Sequence, residues 1–309
     1  MTQVLVIGNA TVDVVQRVER FPLPGETLLC SAMLVCAGGK GLNQAVAAAR
    51  TGVPTRLHAP VGADAHGDLL VRAVAAEAGL QADWLVVAPP TDISTIWIDA
   101  AGENMIVSAA TAAAAMAPSH AVAACASLGA GDVLLVQGNL SQATTAAAIA
   151  QARMRGALTM LNCAPMRPWM AALLAGVDVL VANQVEAAQL VGGEGGADDP
   201  EAALLRAGAR AVVVSRGRDG AVLATDRSRW RAAAPAVAAI DSAGAGDVLT
   251  GTLAGLLAQG STLESALRVA VAAASLSVTR PGTTPSFPSR DEVAALRTAT
   301  GDGPAHGQT

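Results

Sequence analysis

Seven consecutive residues, Asp241-Ser242-Ala243-Gly244-Ala245-Gly246-Asp247, lead without a break into an apolar helical pattern. Small residues at a helix start leave a nest of backbone N–H donors, which suits a transferring phosphoryl group or a similar anion. Asp247 falls in the first turn of that helix, where a carboxylate can accept a proton from a reacting group. A capping role would account for one aspartate, but it leaves the Gly-Ala-Gly run without a purpose. A second cluster, Ala37-Gly38-Gly39-Lys40-Gly41-Leu42-Asn43-Gln44, also enters a helical pattern. Glycine lets backbone approach a ligand closely, and a helix start favours oxygen-rich or anionic groups. This cluster is not a Walker A loop, because Gly41 follows Lys40 where that motif needs Ser or Thr.

Asparagines add to the pattern. The chain has six, and four of them (Asn9, Asn139, Asn162 and Asn183) stand one or two residues after a short apolar run. Each alone also suits a turn or a cap. Together they favour a polar cleft outside the carboxyl ends of the strands, where doubly wound sheets bind ligands. The dinucleotide motif G-x-G-x-x-G is missing after the first run, which continues Gly8-Asn9-Ala10-Thr11-Val12-Asp13, so a nicotinamide or flavin enzyme is disfavoured. His58, His66, His120 and His306 lack metal-site spacing. Cys30, Cys36, Cys125 and Cys163 form no C-x-x-C pair, which points to reduced thiols in a cytoplasmic protein.

The elements that must position these residues follow from periodicity. Apolar runs at 4–8, 57–61, 133–137, 157–161, 178–182 and 211–215 alternate with amphipathic stretches at 43–51, 67–78, 142–153 and 200–207. Near-continuous apolar strands separated by helices describe an α/β fold: a doubly wound, mainly parallel sheet with helices on both faces. Residues 14–35 and 91–108 break the rhythm with alternating segments and a turn at Ala101-Gly102. They predict a small antiparallel β-lid beside the main body, with edge strands of the main sheet as the alternative. A further hairpin is expected at 221–225 and 229–233, then helices at 245–258, 263–278 and 291–299. Residues 1–300 thus form one domain, and the Gly/Pro-rich tail 301–309 is expected to be disordered.

Composition agrees with that architecture. Hydrophobic residues make up 52% and charged residues 15%, a core-rich balance. A net charge of −5 argues against nucleic acid as the main partner. The longest uncharged stretch, 104–131, is rich in Ala, Ser and Thr and is a poor bilayer span. The first residues, MTQVLVIGNATVDV, read as a strand with no basic leader, so no signal peptide is expected. Of the 20 basic residues only one is lysine, Lys40. Such a bias resembles the drift of a GC-rich genome, and the lysine that survives it points to a position with a chemical demand.

These segments together resemble the ribokinase-like (PfkB) family of sugar kinases over about residues 4–288. Phe21-Pro22-Leu23-Pro24-Gly25-Glu26-Thr27 is similar to the family's approach to the lid strands, and Gly38 to Ala45 to its first signature. Asn183-Gln184-Val185-Glu186 matches its N-x-x-E motif, and 241–247 its second signature, D-[ST]-x-G-A-G-D. Thr279-Arg280-Pro281-Gly282-Thr283-Thr284-Pro285-Ser286 resembles the closing loop of ribokinases.

The resemblance implies ATP-dependent transfer of the γ-phosphoryl group to a primary hydroxyl of a pentose-type sugar. Asp247 would be the base, and the N–H groups of Gly244, Ala245 and Gly246 would steady the transferring group. Asp13, Thr11, Gly38, Gly39, Lys40, Asn43 and Asn139 would meet the sugar. Ser215, Arg216, Gly217, Arg218, Asp219 and Gly220 would form the nucleotide loop, with Val271 where the adenine packs. Asn183 and Glu186 would organise Mg²⁺ through water. A K⁺ site is implied at Asp241, Ala243, Ser277, Arg280, Gly282 and Ser286. A lid-to-lid homodimer in the cytoplasm is the expected assembly.

Two positions depart from the ribokinase pattern: Thr11 stands in place of Asn, and Asn139 in place of Glu. An amide removes a strong acceptor and adds a donor. A hexose, a ketose or a nucleoside therefore remain as alternative substrates, although six aromatic residues (Phe 2, Trp 4) offer little for stacking a base. A non-catalytic sugar-binding regulator on the same fold is the alternative from another class.

Overall fold

The computed structural model describes residues 1–192 and 199–301. The tail expected to be disordered lies outside the described residues, apart from Gly301. In chain order the elements are β1 (Val4–Ile7), β2 (Thr11–Arg17), β3 (Ala32–Gly38), α1 (Lys40–Ala49), β4 (Thr55–Gly62), α2 (Ala65–Ala75), β5 (Leu80–Val87), β6 (Ile93–Ile98) and β7 (Asn104–Ser108). There follow α3 (Thr111–Ala115), α4 (Pro118–Ala124), β8 (Val133–Val136), α5 (Gln142–Met154), β9 (Leu158–Asn162), β10 (Val179–Asn183), α6 (Gln184–Leu190) and α7 (Pro200–Arg206). The C-terminal part contains β11 (Ala211–Ser215), β12 (Ala221–Thr225), β13 (Arg229–Ala232), α8 (Ala245–Ala258), α9 (Leu263–Ser277) and α10 (Arg290–Thr300).

Strands such as Val4–Ile7 and Val133–Val136 carry no polar residue, so both of their faces must be covered. They sit in a nine-stranded sheet of order β13-β12-β11-β10-β9-β8-β1-β4-β5, parallel from β11 to β5, with β12 and β13 antiparallel at one edge. One apolar layer packs α1, α2, α8 and α9 against Val4, Val6, Leu135 and Val213. The other packs α3 to α7 against Leu5, Ile7, Leu134 and Val212. Alternate residues of each strand serve the two layers, which is the doubly wound arrangement expected. Edge strand β5 has no counterpart in the periodicity. Gln81 and Asp83 interrupt its apolar residues because every second side chain there faces solvent or His58.

The chain leaves β1 towards β4 on one side and returns to β8 on the other. Such a reversal opens a crevice at the carboxyl ends of the two flanking strands. Two helices close in on that crevice. Gly251 and Gly255 of α8 meet Ala47 and Ala48 of α1, and Thr51 in the turn that follows it, so closely that a Cβ on either glycine would collide. One turn earlier on each helix lie Asp247 and Asn43, so the tight crossing brings them together.

The lid is a separate sheet of order β3-β2-β6-β7. The β2–β3 and β6–β7 pairs are antiparallel, as expected, but β2 and β6 run parallel. A parallel seam needs a long crossover, and the chain supplies one through α1, β4, α2 and β5. The lid strands also extend beyond the expected 14–35, with β2 starting at Thr11 and β3 ending at Gly38. That extension carries the lid into the crevice. The C-terminal hairpin and three helices stand where periodicity put them, within one or two residues.

Candidate active site

Asp247 is the centre of the crevice. Its carboxylate is buried and receives the Asn43 amide on Oδ2 (3.0 Å) and the Gln44 amide on Oδ1 (2.9 Å). Lys40 opens α1 with its Nζ 3.9 Å from the same Oδ1. Both signatures of the sequence therefore converge on one carboxylate. Asn9, two residues past β1, holds the start of α1 through Gly41 N to its Oδ1 (3.2 Å) and Leu42 N to its carbonyl (3.1 Å).

Beside Asp247, helix α8 begins at Gly244, which caps it with φ +77° in the left-handed region. Asp247 N and Val248 N both bond to the Gly244 carbonyl (2.9 Å each). Gly246 is exposed, and a Cβ added there would meet nothing within 4 Å. Its first-turn N–H and the space before it give a helix start open to an anion.

On the lid side, Asp13 is buried 5% exposed at the foot of β2, opposite Cys36 of β3 and Ser94 of β6. Thr11 Oγ1 donates to its Oδ1 (2.7 Å). Burial pushes its carboxyl above the ordinary value; Thr11 and Ser94 oppose the rise, and the Asp247 charge adds to it. Gly38 has no Cβ for a plain reason: one there would overlap the Asp13 carboxylate. The glycines at 38 and 39 thus make room for β2 and its aspartate. Asn139 follows β8, and its Oδ1 has no hydrogen-bond partner; neither has the buried Asn43 Oδ1.

The segments expected to hold the nucleotide line the next strand ends. Asn183 and Glu186 form a reciprocal capping box on α6, Glu186 N to Asn183 Oδ1 (2.8 Å) and Asn183 N to Glu186 Oε2 (2.9 Å). Residues 215–220 form the turn from β11 to β12. Arg216 Nη2 reaches the fully buried Glu201 Oε1 at 2.6 Å, and Arg229 approaches Oε2 at 2.8 Å, so the Arg216 side chain belongs to an internal ion-pair group. Gly217, Arg218 and Asp219 form one 3₁₀ turn, closed by Gly220. Val271 is 2% exposed and packs inside the α9 layer.

Asp241 ties two loops together, accepting Ala243 N on Oδ1 and Gly282 N on Oδ2 (2.9 Å each). Ser277 and Ser286 give their hydroxyl protons to nearby carbonyls, and Arg280 pairs with Glu292. Among the described residues no group of three or more His, Cys, Asp and Glu could hold a metal ion by itself.

Periodicity and motif reading missed Gln44 and Gln137 as functional candidates, although both are completely buried in the floor of the crevice. Gln44 lies inside the first signature and Gln137 directly after β8, but only the fold reveals what each side chain meets. A cavity of about 780 Å³ opens at the opposite end of the sheet beside Arg153, Asp178 and Arg210, and includes none of the expected residues.

Comparison with known proteins agrees with this geometry. The profile of the pfkB family carbohydrate kinases matches residues 1–290. A ribokinase of Bacillus subtilis is 30% identical over 300 residues, covering 96% of this chain and 99% of the relative. A deoxyribokinase of Salmonella typhi is 29% identical over 296 residues, covering 94% and 96%. The structure of Arabidopsis thaliana ribokinase complexed with ribose and ATP superposes with a TM-score of 0.83 at 28% identity, covering 96% and 98%. Buried carboxylate, open helix start, lid and whole-length match converge, and the chain belongs to the pfkB family of carbohydrate kinases.

Proposed function

We propose that this carbohydrate kinase transfers the γ-phosphoryl group of ATP to the primary hydroxyl of a pentose-type sugar, with Asp247 as the base. The observation that carries the proposal is a set of acceptors around one crevice. Asp13 and Asp247 are buried carboxylates, and Asn43 Oδ1 and Asn139 Oδ1 are left without donors. A ligand rich in hydroxyls supplies the missing donors. The relatives named above act on ribose or deoxyribose by name, which supports a pentose.

In the reaction the hydroxyl oxygen attacks the γ-phosphorus and the bond to the ADP oxygen breaks. Asp247 takes the hydroxyl proton late in a loose transition state. The N–H groups at the start of α8, Gly244, Ala245 and Gly246, would face the charge on the transferring group, that of Ala245 from a long 3.3 Å bond to the Ser242 carbonyl. Lys40 brings a compact positive charge to the same place. Thr11 spends its hydroxyl on Asp13. It acts on the sugar through that carboxylate, whereas Asn139 offers its amide directly. Residues 215–220 would hold the nucleotide mainly through backbone, since Arg216 is engaged by Glu201.

Glu186 keeps Oε1 outside the capping box, so it can hold a water of a Mg²⁺ ion that arrives with the nucleotide phosphates; the ion would screen their charge. Each Asp241 oxygen accepts one N–H and retains a lone pair. Together with the carbonyls of the 277–286 loop, that fits a K⁺ ion and supports the cation site. The four cysteines are all unpaired, as suits the cytoplasmic location we infer.

Dimerisation through the lid is part of the same reading. The register aligns Leu34, Val15, Ile96 and Ile106 as one apolar row on the face that carries Asp13. Leu34 and Ile106 are 51% and 54% exposed at its ends. A second lid would cover that row.

ADP release measured over ribose, 2-deoxyribose, hexoses, ketoses and nucleosides, in K⁺ and in Na⁺, tests the proposal. The highest kcat/KM is expected for a pentose, with a faster rate in K⁺. A hexose or a nucleoside at the top would contradict the substrate, equal rates in the two salts the cation site. Sugar binding without any ADP release would point to the non-catalytic regulator.

A further inference from the structure

Gln44 and Gln137 are both completely buried beneath Asp247. Burying amides is costly unless their polar atoms are matched. Their bonds form one continuous chain. Gln137 Nε2 donates to Gln44 Oε1 (2.9 Å), and Gln44 Nε2 donates to both Asp247 Oδ1 (2.9 Å) and Asn162 Oδ1 (3.2 Å). Asn162 Nδ2 then donates to the Val181 carbonyl (3.3 Å).

The polarity of this chain is forced from both ends. An ionised carboxylate and a backbone carbonyl only accept hydrogen bonds. Gln44 must therefore turn its NH₂ to Asp247, which leaves only Oε1 for Gln137. Gln137 must in turn present its own NH₂, so its Oε1 points at Gly8, where a Cβ would overlap it. That oxygen has no hydrogen-bond partner. An orphaned buried acceptor is a real cost, accepted here in exchange for one fixed orientation of Gln44. Oδ1 of Asp247 is attended by Gln44 and Lys40, whereas Oδ2 has Asn43 alone.

We propose that Gln44, aligned by Gln137 and Asn162, is a positioning residue for phosphoryl transfer: it anchors Oδ1 of Asp247 and leaves Oδ2 to receive the substrate hydroxyl. The inference rests on the reading of Asp247 as the base.

Steady-state kinetics and pH profiles of Gln44→Met, Gln44→Glu and Gln137→Met, beside Asp247→Asn, test it. Gln44→Met should lower kcat by up to about 10²-fold, the size of a small misplacement of a reacting group. The KM values for sugar and ATP should stay within about threefold. Gln44→Glu keeps the shape but sets a second carboxylate against Oδ1. It should move the acid limb of kcat/KM up by more than about one pH unit. Gln137→Met should lower kcat less, again with KM unchanged, and it carries the test together with Gln44→Glu if Gln44→Met fails to fold. An inactive Asp247→Asn alongside wild-type kcat and wild-type pH limbs in the Gln44 variants would overturn this inference alone. Full activity in Asp247→Asn would overturn the base assignment and this inference with it.

Discussion

Asp13 shows how much a single side chain can give up for a site. Burial holds its carboxyl above the ordinary value of 3.8, so on raising the pH the unfolded chain loses that proton first. The Asp13 contribution favours the fold below 3.8 and is lost as pH climbs through the raised folded value. Asp13→Asn keeps an acceptor for the Thr11 hydroxyl and has no proton to lose. Its Tm relative to the wild type should therefore be higher at pH 7 than at pH 4, while its sugar KM rises roughly tenfold or more. Thermal melts at the two pH values check the first part; an equal Tm difference at both would refute it. Asp247 was singled out in the sequence because it closes a glycine-rich signature at a helix start, whereas Asp13, set between Val12 and Val14, entered only through the family resemblance. Gln44 and Gln137 were not singled out. The first signature contains Gln44, but what meets these two side chains lies 203 and 93 residues away in the chain, and no local pattern records such a meeting.

Elements act here through their ends. The start of α8 depends on Gly244 at φ +77°, where a Cβ would also come within 2.7 Å of the Phe287 ring. Alanine in that conformation costs about 1–2 kcal/mol before the clash is counted. Gly244→Ala should lower Tm by roughly 2–8 °C and reduce kcat, since the same turn aims the N–H groups. Calorimetry and turnover measured together check this, and an unchanged Tm would contradict it. Most elements were readable in advance because buried parallel strands are uninterrupted and amphipathic helices keep their period. Edge strand β5 escaped because Gln81 and Asp83 alternate with its apolar residues, and the parallel seam β2–β6 because pairing direction is set by the crossover rather than by either strand. The N-x-x-E motif was recognised as a motif, yet its immediate work is the capping box of α6.

At the scale of the molecule, the lid and the main sheet divide the task. The lid brings Asp13, the reversal of strand order at β1 provides the crevice, and the α1–α8 crossing delivers Asp247 with its amides. Covering the apolar lid row with a second copy would also steady Asp13 at its foot. Ile106→Lys should therefore turn a dimer into a monomer by light scattering and raise the sugar KM; a wild type that is already monomeric would contradict the lid interface. The role proposed for Asp247 is to take the proton of the sugar hydroxyl. It is tested most directly by sugar-dependent ADP release in Asp247→Asn beside the wild type, at saturating sugar and ATP. The expected result is a kcat lower by about 10²–10⁴-fold with sugar affinity kept within a few-fold. An asparagine variant turning over at the wild-type rate would contradict the account.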